Sequence, residues 1–194
     1  MPNKLIKITF VAATLALTSG CVIFKGNNLE KIDAKEVVMK SQEKKKIYVR
    51  WDFDFIPVGH SVITYEDREK LFQRVLDESN CCIIVKKKSE ADIIFEGKAY
   101  DQRNPATIVG FFISVATVYM IPSWNTAKIF VSADVKKGKE IKSYEVKDSM
   151  TTAIWLPFVV ATPFAYDFDK THKEILENAY RSLILKMKND SILN

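Results

Sequence analysis

Three cysteines and two histidines are the residues of this chain best suited to covalent or metal chemistry. Their neighbours narrow what that chemistry can be. Cys21 ends a run of small residues, Thr18-Ser19-Gly20, that follows an apolar stretch, the layout of a secretory cleavage site. Cys81 and Cys82 are adjacent and head the apolar run Ile83-Ile84-Val85. Alternation along a strand would send them to opposite faces, and a disulfide between neighbours needs unusually close Cα atoms. Two small buried or half-buried thiols are therefore expected, although an oxidising compartment permits a bond. His60 lies near Asp52 and Asp54 in sequence. That is too few ligands at a recognised spacing for a metal, and two aspartates on the polar face of a strand need only water. His172 falls in the first turn of a helix whose apolar stripe lies further on, so solvent is its expected neighbour. No Gly-x-Ser-x-Gly elbow, phosphate loop or paired-carboxylate cleft is present. The chain reads as non-enzymatic, with no metal.

The residues before Cys21 must deliver it to its chemistry. Lys4 and Lys7 give a basic start, and Ile8 to Leu17 is an apolar run too short to span a bilayer. The segment Leu17-Thr18-Ser19-Gly20-Cys21 resembles the lipobox of bacterial lipoproteins, with Thr18 where leucine is usual. That resemblance implies that residues 1–20 are a signal peptide. It also implies that Cys21 becomes the amino terminus, carrying diacylglycerol and an N-acyl chain, with no other cofactor. Each buried methylene of such chains adds ~0.8 kcal/mol of membrane attachment. Asp after the cysteine marks inner-membrane retention in many Gram-negative lipoproteins. Val22 stands there instead, which implies the periplasmic face of the outer membrane.

Removal of the first twenty of 194 residues leaves 174, enough for one domain that buries roughly 70% of its unfolded surface. The formal charge of +5 falls to about +3 when the two signal lysines leave, too weak a bias to suggest nucleic acid. Lysines cluster at 44–46, 86–88 and at Lys136, Lys137 and Lys139. Each cluster falls at an expected strand end or turn, where lysine discourages edge pairing; a basic face toward anionic headgroups is the alternative.

Residues 21–45 are polar, with a weak helical stretch from Leu29, and read as a tether. The domain proper is expected over 46–194. Ile47, Val49, Trp51, Phe53 and Phe55 alternate with polar residues, a strand with one buried face. Leu71, Phe72, Val75 and Leu76 recur at helical spacing within 65–79, behind a capping box at Thr64 to Asp67. Strands follow at 81–87 and 91–100. A hairpin turns at Gly138, and a helix capped by Thr171 and Glu174 carries a stripe from Ile175 to Met187. The sum is an α+β two-layer sandwich: about five strands, with two amphipathic helices on one face. The order loosely resembles the lipopolysaccharide-assembly and curli-secretion lipoprotein families in architecture. Ala91-Asp92, the run from Gly110 and Ile121-Pro122-Ser123-Trp124 resemble elements of small outer-membrane lipoproteins; the likeness implies no particular chemistry.

Two inserts are the unusual part of the mature chain. Residues 104–127 and 149–166 contain no charge and hold Phe111, Phe112, Tyr119, Trp124, Trp155, Phe158, Phe164 and Tyr166. The first, Ala106 to Ile121, falls short of the ~17 residues of a spanning helix, and Pro157 and Pro163 interrupt the second. Either both complete the core, or they pack together at one end of the sandwich as an apolar contact surface for acyl chains or a membrane partner. On the second reading the chain is a lipid-anchored accessory or binding module for outer-membrane assembly, transport or integrity. The alternative is a carrier holding a lipid or other hydrophobic ligand in a groove that the inserts line.

Overall fold

The structure, a computed structural model, describes residues 21–39, 44–54, 65–158 and 168–193. Phe55, Pro57, His60, Thr64, Val159, Phe164 and Tyr166 lie outside them. Among the described residues the chain forms an α+β two-layer domain around a six-stranded mixed sheet, in the spatial order β1-β6-β5-β4-β2-β3.

The strands are β1 (Cys21–Lys25), β2 (Lys45–Asp54), β3 (Cys82–Val85), β4 (Ile93–Arg103), β5 (Ser123–Lys137) and β6 (Glu140–Ile154). The helices are α1 (Ala34–Val37), α2 (Tyr65–Ser79), α3 (Thr107–Ala116) and α4 (Phe168–Asn189). β2 runs parallel to β3 and β4, with α2 as the crossover that a parallel pair requires. The other pairs are antiparallel. The β5–β6 hairpin turns at Gly138, whose φ of +59° suits the first position of a two-residue turn.

Period-two patterning puts Ile93, Phe95, Val131 and Val135 on the face covered by α2 and α4. Phe72 of α2 and Tyr180 of α4 meet them. Trp51 stacks into the same group, 4.9 Å from Phe72 and 5.2 Å from Phe95 between ring centres. Gly97 sits opposite Trp51 in the register, and a Cβ there would come within 2.5 Å of the indole. The glycine makes room for the ring.

The structure departs from the sequence reading in four respects. The first concerns residues 21–39, expected as a tether. They are strapped onto the domain: β1 adds a sixth strand beside β6, and Ile23, Ile32, Val37 and Met39 are buried. Asp33 and Glu36 form a capping box on α1, Ile32 N donates to Asn178 Oδ1 at 2.9 Å, and Lys188 Nζ donates to the carbonyls of Glu36 and Val38. The buried residues are too widely spaced to show a helical or strand period.

The second departure is that Cys81 and Cys82 are joined by a disulfide, with Cα atoms 3.7 Å apart, rather than held as thiols; both are buried. The third is at α4, which begins at Phe168, so Thr171 is buried inside its first turn instead of capping it. The fourth follows from the third. His172 is only 2% exposed, because it lies four residues before Leu176 and three before Ile175, on the same helical stripe.

Candidate functional site

The two uncharged inserts meet at one end of the sheet. The run 104–127 supplies the end of β4's connection, α3 and the start of β5, while 149–154 is the last part of β6. Asn104 starts α3: its Oδ1 accepts from the Ala106 amide at 3.0 Å and its carbonyl from the Thr107 amide at 3.1 Å. Ser114 is the buried residue of the helix, its hydroxyl donating to the Ile121 carbonyl at 2.7 Å. Val118 and Tyr119 then take left-handed φ values of 52° and 59°, which stop the helix and return the chain toward β5. The Leu156 amide donates to the Tyr119 carbonyl at 2.9 Å, and Trp155 Nε1 to the Met120 carbonyl at 3.1 Å. These bonds tie the second insert to the first.

The residues singled out in the sequence take different stations here. Phe111 and Phe112 lie on α3 with rings 6.1 Å apart, Phe112 being 65% exposed. Trp124 stands on β5, 63% exposed, and Tyr119 is half-buried. Trp155 and Phe158 pack edge to face at 5.5 Å, both half-buried. Phe164 lies outside the described residues. Val109, Ile113, Val115, Met120 and Ile121 are also exposed, residues that no charge pattern singles out. A soluble monomer rarely leaves so contiguous an apolar surface open to water.

Cys21 belongs to this end. It pairs with Ile154 of β6, which pairs with Ser123 of β5. Adjacent strands lie ~4.8 Å apart, so Cys21 is about two such spacings from the base of the exposed loop. Burial pushes its free thiol up from the ordinary value, which disfavours the thiolate that a catalytic nucleophile needs. A cavity of ≈ 440 Å³ opens beside it on the helix face. Ile108, Phe111, Trp124, Met150, Ile154 and Phe168 line it, with Arg103 at its edge.

A second cluster lies deeper. Asp101 Oδ2 accepts from Arg68 Nη2 at 3.0 Å and stands 3.4 Å from His172 Nε2. Burial pushes the Asp101 carboxyl up, but the hydrogen bonds and charges of His172 and Arg68 outweigh it and hold the group below the ordinary carboxylate range. Asp101 Oδ1 and His172 Nδ1 find no partner among the described residues. Arg68 and His172 are both closed off from solvent, so the three side chains form an internal polar cluster. Among the described residues, no group of three His, Cys, Asp or Glu side chains gathers as a metal site. No helix among them is long and apolar enough to cross a membrane.

No protein-family model matches the chain. A stretch of 88 residues is 34% identical to the glycine–tRNA ligase beta subunit of Helicobacter pylori strain G27, covering 45% of this chain and 11% of that protein. The same subunit from strain HPAG1 is 34% identical over 84 residues, covering 43% of this chain and 11% of that protein. The chain thus spans about a tenth of the length of these relatives. Among solved structures, a protein described as a neuraminyllactose-binding hemagglutinin homolog from Helicobacter pylori is similar over 79% of this chain and 87% of its own. It is 12% identical, with a TM-score of 0.42. A likeness at that level bears on neither fold nor function.

Proposed function

We propose that this chain is a lipid-anchored protein of the bacterial envelope. It acts without catalysis, as an accessory or binding module for outer-membrane assembly, transport or integrity on the periplasmic face. One coincidence carries this reading. The cysteine that ends the lipobox-like segment pairs with Ile154, the last residue of β6, at the end where the apolar surface is exposed. A chain tethered by acyl groups at Cys21 keeps that surface within reach of lipid or of a membrane-embedded partner. Mass analysis of the native polypeptide tests the reading. The expected result is an amino-terminal peptide beginning at Cys21 and carrying acyl groups; an unmodified thiol inside an uncleaved chain overturns it.

The cavity beside Cys21 favours a second reading, a carrier of a lipid or another hydrophobic ligand. Thr152 lines that cavity. Under the carrier reading Thr152→Phe releases a co-purifying lipid measurable by extraction. If the wild-type protein yields no such lipid, the carrier reading fails.

A further inference from the structure

Along β1, β4, β5 and β6 no charge lies beyond one row of the sheet. Lys25 on β1 is paired with Met150 on β6, Met150 with Ala127 on β5, and Ala127 with Arg103 on β4. These four residues form a single row perpendicular to the strands. Beyond it lie residues 21–24 of β1, 151–154 of β6 and 123–126 of β5, and none is charged. The connection from β4 through α3 is uncharged as well. Four residues separate the row from Cys21, so the uncharged cap is ~13 Å deep along the strands.

We infer that this cap is a bilayer-contact surface: the domain stands on the membrane, with α3 and the 118–124 connection among the headgroups and upper acyl chains. The inference rests on the lipid-anchored reading and adds an orientation to it. A lipid bilayer is the occupant that a flat charge boundary fits, because water and anionic headgroups on one side of a plane sort charge by depth. A protein partner would not require every charge on β1, β4, β5 and β6 to stay at or to one side of a single row.

The anchor is also short. Cys21 is already paired in β1, the Gly26 amide donates to the Ser149 carbonyl at 2.7 Å, and a Cβ on Gly26 would strike Ser149. No slack lies between the acyl site and the fold, so lipid held by Cys21 holds the cap at the surface. α3 is ten residues long, ~15 Å, half the hydrocarbon thickness of a bilayer. Such a helix fits the interface, where apolar faces sink ~5–10 Å. Trp124 suits that depth, with an apolar ring and one polar tip. Arg103, Lys25 and, one residue further along β5, Lys128 stand at the level of anionic headgroups; Lys25 also pairs with Glu174.

The test uses the full acylated protein, its lipid confirmed by mass. It is reconstituted into vesicles of phosphatidylethanolamine and phosphatidylglycerol whose acyl chains carry bromine near the headgroup. The expected result is quenched tryptophan emission relative to ordinary vesicles, with most of the quenching lost when Trp124→Phe is combined with Trp155→Phe, which leaves the core residue Trp51 as the unquenched reference. Phe112→Asp, at an exposed position, is expected to reduce quenching while leaving the circular-dichroism spectrum intact. Acylated protein whose emission is the same in both vesicles overturns the inference alone. An unacylated Cys21 overturns the anchored reading and the inference with it.

Discussion

The two ends of the sheet are built from opposite materials. At one end β5 starts with Ser123-Trp124 among exposed apolar side chains, and at the other it finishes with Lys136-Lys137. The second end also carries Lys45 and Lys46 at the start of β2, whereas Lys86 to Lys88 follow β3 at the side edge of the sheet, where Lys88 reaches Glu96. Several of these lysines are paired: Lys88 with Glu96, Lys87 with Glu90 and, nearby, Lys142 with Glu140. The fifteen residues of β5 separate the poles by roughly 48 Å. The lysine pole is the kind of surface every soluble domain needs, with strand ends capped by solvated charge. The apolar pole costs solubility and has no counterpart in the packing of the core. Under the proposed anchoring at Cys21, the lysines at the far end face away from the lipid, which argues against them as the membrane-binding face.

Substitutions at the two poles and in the core between them should separate these roles. The largest effect is expected from Cys21→Ser, which removes the proposed acyl site; the protein should leave the membrane fraction almost entirely, as read by fractionation after spheroplast lysis. Retention in the membrane would mean that the apolar pole binds unaided or that the anchor lies elsewhere.

Next come two phenylalanines with opposite fates. Phe72 is fully buried, and Phe72→Ala should cost about 3–5 kcal/mol in denaturant unfolding. Phe112→Ala should change stability by no more than about 0.5 kcal/mol, because its ring faces outward. A large stability loss in Phe112→Ala would make the cap part of the core.

Acid should act on the Asp101 network. Its carboxyl lies below the ordinary range in the folded chain, so it stabilises the fold above the unfolded value of about 3.9. That stabilisation fades as pH falls through the lowered folded value. Asp101→Asn should therefore flatten the acid limb of a stability–pH curve and lower the neutral plateau by about 1–3 kcal/mol. An unchanged acid limb would remove Asp101 from the acid response.

The smallest effects separate lysines by pole. Lys128→Glu should weaken attachment to anionic vesicles by ~1 kcal/mol, whereas Lys136→Glu should leave it unchanged. Equal effects of the two would erase the distinction between the poles.

Period made much of this fold legible. The alternation from Ile129 and the stripes on α2 and α4 reached buried positions, and that from Ile47 reached buried Ile47 and the half-buried Val49, Trp51 and Phe53 that pack against the core. What escaped had no period to read. Ile23, Ile32, Val37 and Met39 are isolated apolar residues in polar sequence, and only their contacts with β6, α2 and α4 make that segment part of the domain. The Cys81–Cys82 bond escaped because the usual distance rule disfavours neighbours. His172 did leave a signal: its spacing to Ile175 and Leu176 puts it on the stripe, and a polar residue there must find a buried partner. The cap was legible as composition, since a charge-free run stands out in any sequence. Its alignment with Cys21 was not, because that depends on β1 pairing with β6.

The poles can be told apart in a single labelling experiment on the acylated protein in vesicles. With Cys21 acylated and Cys81 bonded to Cys82, an introduced cysteine would be the one free thiol among the described residues. Phe112→Cys and Lys139→Cys both offer positions exposed in the fold itself. A water-soluble maleimide should label Lys139→Cys readily and spare Phe112→Cys until the lipid is removed. Equal labelling of both in intact vesicles would contradict a domain that stands on its apolar end.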